Sequence, residues 1–327
     1  MPSRQPKHTK RCHPEPACRR QAGRGICFFL TSLLFATVLS AAPKEPSRPR
    51  ILGIGIVSLA ASPPKEAMSF YGQVGFRASR MDCASVCTNL IQINPHQQLS
   101  VFIGHPDAAV KEDLGESSPM QIFFETSDVE AMRGYLTGLG ISCSGIIRAP
   151  HTQFSLDDPD GHHIGFIQFE ERELLQRPHS QNQVSSRLIH AGFVVHDRAA
   201  TDHFYKDILG FRPYWHGGMK DDRDDWVAMQ VPDGTDWIEY MLNIPADASH
   251  KLLGIMNHIA LGVPDIQAAK AQLIKNGWKP GEEPKLGRDG KWQLNLYDPD
   301  DTRIEFMEFA PKEKPCCSEF TGTHPKP

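Results

Sequence analysis

Two halves of this chain repeat each other at a fixed offset. Gly53 and His190, Gln121 and His258, Asp128 and Asp265, and Gly140 and Gly277 are each 137 residues apart. Such an offset, held over four landmarks, marks one supersecondary unit that has been duplicated. Within each half a second copy starts 68 residues after the first, at Gln121 and at His258. The first copies carry a strand-like run (Gly53 to Val57, His190 to Val194). A helix with Phe70-Tyr71 or Phe204-Tyr205 follows, then Gly75-Phe76 or Gly210-Phe211. The second copies reach Asp128 or Asp265 seven residues into the run, then a helix ending at Gly140 or Gly277, a usual helix terminator. They close with an Asp-Pro-Asp turn (Asp158 to Asp160, Asp298 to Asp300) before a last strand. The pattern predicts an α+β fold of four strand-helix-three-strand (βαβββ) modules in two pairs.

The pairs are expected over residues 50–170 and 187–310, joined by a polar linker at 171–186 and followed by a loose, Lys/Pro-rich tail at 311–327. Residues 1–42 differ in kind. Lys7, Lys10, Arg11, Arg19, Arg20 and Arg24 precede the apolar run Ile26 to Leu39, and the small residues Ser40, Ala41 and Ala42 follow. That is the order of a secretory signal peptide, with an apolar run short of the roughly 20 residues a membrane span needs. Its removal would take away seven Lys/Arg and one Glu and move the formal charge from -4 to -10. The expected product is secreted or periplasmic, with no stable membrane span. It is cytoplasmic if the start codon lies further downstream. An acidic chain without a basic tract gives no support to nucleic-acid binding. Five cysteines would remain, of which Cys83 and Cys87 are spaced to bridge or to stay free thiols.

Strand periodicity isolates four residues. Alternate side chains of a strand share a face. In the run from His258, Ile259, Leu261 and Val263 form one face, while His258, Ala260 and Gly262 form the other. The run from His190 repeats this. In the last strands of the second half, Glu239 and Met241 oppose Ile238, Tyr240 and Leu242, and Glu305 and Met307 oppose Ile304 and Phe306. A carboxylate inside an apolar strand needs a partner, because its desolvation is costly. Two imidazoles and two carboxylates in equivalent positions share one explanation: a single divalent metal with nitrogen and oxygen donors, such as Ni, Zn, Co, Fe or Mn. The first half serves as an internal control, with Gly53, Gln121 and Gly165 at the matching positions and the fourth near Ser100. One strand histidine alone is more often a satisfied core residue than a ligand. His162-His163 and His203 are expected at the surface.

These residues resemble the vicinal oxygen chelate superfamily, which includes glyoxalase I, extradiol dioxygenases and bleomycin-resistance proteins. The resemblance rests on HAGFVVHDRAATDHFYKDILGF from His190 and HIALGVPD from His258, and spans about residues 50–310. It implies that each module pair forms a U-shaped mixed sheet with helices outside, around one metal with positions open to two substrate oxygens. The order His190, Glu239, His258, Glu305 is similar to that of bacterial glyoxalase I. It implies four metal ligands, with Glu239 or Glu305 also shuttling a proton in a lyase or isomerase. The four-module layout, metal-bearing only in its second half, resembles extradiol dioxygenases. That implies a His190, His258, Glu305 ligand set, with the catalytic histidine of those enzymes falling near Glu239. A non-enzymatic small-ligand-binding protein of the bleomycin-resistance type is the third expectation.

Overall fold

The computed structural model describes residues 47–61, 64–76, 78–83, 87–103, 121–148, 151–170 and 182–327. The leader expected over 1–42, most of the linker 171–186 and the bonding state of Cys83 and Cys87 lie outside the described residues. The first half runs β1 (Ile51–Ala61), α1 (Pro64–Gln73), β2 (Ala78–Cys83), β3 (Cys87–Asn94) and β4 (Gln97–Ile103). It continues with β5 (Gln121–Thr126), α2 (Val129–Gly138), β6 (Thr152–Asp157) and β7 (His163–Gln168). The second half opens with β8 (Arg187–Val194) and α3 (Arg198–Asp202), which passes directly into a π-helical turn (His203–Ile208). Then come β9 (Arg212–Gly217), β10 (Trp226–Gln230) and β11 (Trp237–Met241). A short helix α4 (His250–Met256) precedes β12 (His258–Val263), α5 (Ile266–Lys275), β13 (Lys285–Leu286), β14 (Trp292–Tyr297) and β15 (Arg303–Glu308).

Each half forms one mixed, curled sheet. The orders are β2-β3-β4-β1-β5-β7-β6 and β13-β14-β15-β12-β8-β11-β10-β9. In all four modules the first strand pairs in parallel with the last: β1 with β4, β5 with β7, β8 with β11 and β12 with β15. Parallel neighbours need a crossover, which the module's helix and hairpin supply. The two lead strands of each half then pair antiparallel, β1 with β5 and β8 with β12. The second module is the least regular. Where its second strand is expected it shows an isolated bridge, Ile147 to Gln153.

The repeated landmarks have local causes. Asp128 and Asp265 are N-caps, each side chain accepting the amide N–H three residues on, from Ala131 and Ala268. Gly140 and Gly277 follow the helices at φ +82° and +99°, which glycine alone adopts freely. The Phe-Tyr and Asp-Pro-Asp signatures meet across the halves. Tyr71 Oη donates to Asp298 at 3.0 Å, and Tyr205 Oη donates to Asp158 at 3.1 Å. Asp158 and Asp298 also accept amide N–H bonds within their own turns. Module one is thereby tied to module four and module three to module two. The main buried cluster likewise runs through both halves, from Ile51 to Phe306.

Three expectations change. Counting 137 residues back matches His190 to Gly53, but strand register matches it to Ile56. Glu239 pairs with Gly192, and the corresponding Ser100 pairs with Ser58. His258 pairs with Gly192, and the corresponding Gln121 again pairs with Ser58. β1 carries two register shifts, between Ile51/Gly53 and Ile54/Ile56, and these break the simple count. The tail 311–327, expected to be loose, is bonded along the second sheet. Cys316 N donates to Arg288 O, Thr321 N to Tyr214 O and Gln230 Nε2 to Thr323 O. Phe320 packs on Tyr214 and Trp215. His162, expected at the surface, is half-buried and links the Asp158 carboxylate to Val194 O. His203 is exposed as expected. Among the described residues, no helix is long and apolar enough to cross a membrane.

Candidate metal centre

The second sheet brings all four predicted residues together. His190 and His258 sit on the antiparallel lead strands, two positions apart in register, because His190 faces Ala260 and His258 faces Gly192. Glu239 lies beside Gly192 on β11, and Glu305 beside Ala260 on β15. Small residues at 192 and 260 leave the middle of the concave face open to the longer side chains. The two Nε2 atoms are 3.0 Å apart. Glu305 Oε2 stands 3.7 Å from each. Glu239 Oε2 is 3.4 Å from His258 Nε2 and 4.0 Å from His190 Nε2. His190, His258 and Glu305 form one buried set, with donor atoms all within 4.8 Å of one another. Both histidines are fully buried, and Glu239 keeps 14% of its side chain exposed.

This donor set fits a divalent metal. Nitrogen and oxygen ligands bind at about 2.0–2.2 Å, so ligand atoms on one ion stand roughly 3 Å apart when adjacent and about 4.2 Å when opposite. All five separations fall in that range. His258 Nδ1 donates to Met256 O at 2.7 Å, which puts its proton on Nδ1 and leaves the Nε2 lone pair facing inward. Burial pushes both imidazoles well below their ordinary pKa, and the neutral form is the one that ligates. Burial pushes Glu239 and Glu305 up to about 7, with Arg303 opposing the rise in both. Two desolvated carboxylates beside two neutral imidazoles are the electrostatic signature of a site shaped for a cation.

The first sheet holds the same scaffold with its centre filled. The matching positions are Ile56, Ser100, Gln121 and Gly165. Ala260 corresponds to Phe123, and a side chain at Gly165 would collide with the Phe123 ring. Ile56, Phe123, Ile167 and Phe169 pack as a separate apolar cluster there. An apolar plug thus stands where the second half has polar donors.

Beside the donors of the second half lies a cavity of about 250 Å³, with Trp215, Trp226, Trp237, Lys291, Arg303 and Phe320 in its wall. Trp237 packs against the His190 ring at 4.8 Å. Trp237 and Arg303 stand two residues before Glu239 and Glu305 and share their faces, so strand periodicity could have found them. Lys291, from the hairpin before β14, and Phe320, from the tail, have no such signal. Burial pushes Lys291 down to about 8 against the pull of Asp289, Glu305 and Glu239.

Residues 187–306 match the family model of the Glyoxalase/Bleomycin resistance protein/Dioxygenase superfamily. That match covers the second half alone, the half that holds the four converged donors. The chain's fold is similar to that of homoprotocatechuate 2,3-dioxygenase. A histidine variant of that enzyme from B. fuscum, in complex with HPCA, gives a TM-score of 0.59 at 20% identity, over 81% of this chain and 73% of that one. The Arthrobacter globiformis enzyme gives 0.58 at 19% identity, over 81% and 82%. The anaerobic complex of the Brevibacterium fuscum enzyme with 3,4-dihydroxyphenylacetate gives 0.56 at 20%, over 81% and 82%. At these identities the likeness is one of fold. No curated protein matches the sequence.

Proposed function

We propose that the second half is a divalent-metal-dependent enzyme that opens a catechol-type ring with dioxygen, in the manner of an extradiol dioxygenase. The observation that carries this is the buried set His190 Nε2, His258 Nε2 and Glu305 Oε2, at mutual distances of 3.0 and 3.7 Å. Two histidines and one carboxylate with open positions are the donor pattern of non-haem iron oxygenases. A bound divalent metal supplies Lewis acidity toward two vicinal substrate oxygens. Glu239 Oε2, with its pKa raised to about 7, is placed to accept a substrate hydroxyl proton. Trp215, Trp226 and Trp237 give a flat ring apolar walls and keep water from it.

A second reading, a lyase or isomerase, is favoured by Glu239 Oε2 lying 3.4 Å from His258 Nε2, within reach of a shared metal. Glu239 would then be a fourth ligand, and Glu239 or Glu305 would carry a proton between substrate carbons. The converged donors speak against a merely sequestering protein. The test is an oxygen electrode with the iron-loaded full chain and a panel of catechols that includes 3,4-dihydroxyphenylacetate. Oxygen uptake matched to catechol loss supports ring opening. A metal-loaded protein that consumes no oxygen with any catechol rejects it. The proposal includes export with removal of about the first 40 residues. N-terminal sequencing of protein from native cells checks it, and a start at Met1 would contradict it.

A further inference from the structure

We infer that Lys291 is a specificity-determining residue that binds a carboxylate on the substrate, so that the cavity takes an anionic aromatic molecule rather than a neutral one. This rests on the cavity being the substrate site of the enzyme proposed above. Lys291 is fully buried, which is rare for a lysine without an ion-pair partner. Among the described residues no carboxylate oxygen lies within 4.0 Å of its ammonium. Of its three N–H donors, one reaches Tyr214 Oη, at a long 3.4 Å. That hydroxyl is also held by His324 Nδ1 at 2.5 Å, so the tail fixes it in place. The rings of Trp237, Phe320 and Tyr214 surround the ammonium, with centroids at 4.5, 5.0 and 5.3 Å. Three rings orient a cation but leave its remaining donors unmet.

The acids that act on Lys291 from further away are Asp289, Glu305 and Glu239. Two of these are the glutamates beside the paired histidines, whose charge a bound dication would offset. Asp289 Oδ1 is already engaged by Lys291 N at 3.2 Å and Gln293 Nε2 at 3.4 Å. The loaded centre therefore leaves a buried ammonium facing the cavity in need of an anion. A second donor points the same way. Arg303 also lines the cavity, and its Nε is buried without a hydrogen-bond partner. A carboxylate bound by Lys291 would sit in the same cavity wall as Arg303, with Trp215, Trp226 and Phe320 there to take an attached ring.

The test uses the full chain loaded with redox-silent zinc, titrated with phenylacetate and with its neutral isostere phenylacetamide, and followed by calorimetry. Phenylacetate is expected to bind at least about tenfold more tightly, as befits a charge-assisted hydrogen bond. Lys291→Met is expected to remove that preference while leaving zinc content and phenylacetamide affinity unchanged. Lys291→Arg is expected to keep part of it. Equal affinities in the unaltered protein overturn the inference without any variant, as does no measurable binding of phenylacetate. So does a preference that persists in Lys291→Met. No turnover enters these measurements. A carboxylate preference in a protein that consumes no oxygen would sink the ring-opening reading and leave the subsite standing.

Discussion

Gly192 stands directly across from His258 in the pairing of β8 and β12, and the space a side chain at 192 would fill is taken by the His258 imidazole. The same glycine lies beside Glu239 in the parallel pairing with β11. The missing side chain thus gives room to the His258 ring. Gly192→Ala is expected to push the ring off its Met256 O bond and lower metal affinity roughly 10- to 100-fold, the usual cost of disturbing a ligand's support. Chelator competition measures the affinity, and circular dichroism checks that the fold persists. Unchanged affinity would contradict this placement of the imidazole.

The tyrosine-to-aspartate bonds across the halves predict a stability effect away from the metal. Tyr71→Phe and Tyr205→Phe each remove one buried hydroxyl bond to a carboxyl, to Asp298 and Asp158 respectively. Each is expected to cost about 1.5–3 kcal/mol in a denaturant titration, with metal content unchanged. A change below roughly 0.5 kcal/mol would mean these bonds do not clasp the halves.

Metal uptake should depend on pH through the glutamates. Glu239 and Glu305 are raised to about 7, so below that pH they hold protons that a metal must displace. The imidazoles are shifted the other way and are already neutral. Affinity, and the stability a metal adds, should therefore be full above about pH 7 and fall as pH drops through that value. Calorimetry in buffers of different ionisation heat should show protons released at about pH 6 and close to none at about pH 8. Equal proton release at both would contradict the assignment.

Much of this site was legible because strands have a period of two. His190, His258, Glu239 and Glu305 stood out as polar residues on apolar strands, and the repeat pattern placed three of the four counterparts correctly: Gln121, Ser100 and Gly165. The fourth shifted from Gly53 to Ile56 because a bulge moves pairing without altering composition. Lys291 and Phe320 were not legible, since a hairpin residue and a tail residue reach the cavity only through tertiary packing. The tail itself, rich in lysine and proline, carries no periodic apolar pattern. It is held through a backbone bond to β9, through the Gln230 side chain of β10 and through the Phe320 ring.

The metal content of two variants, Glu305→Gln and Glu239→Gln, purified without oxygen and measured by elemental analysis, tests the centre most directly. With His190, His258 and Glu305 as the ligands, Glu305→Gln should lose most of its metal. Glu239→Gln should keep nearly one ion per chain while losing oxygen uptake, because an amide is a poor base. Equal loss in both variants would make Glu239 a fourth ligand and favour the lyase or isomerase reading, whereas full metal content in Glu305→Gln would contradict the centre itself.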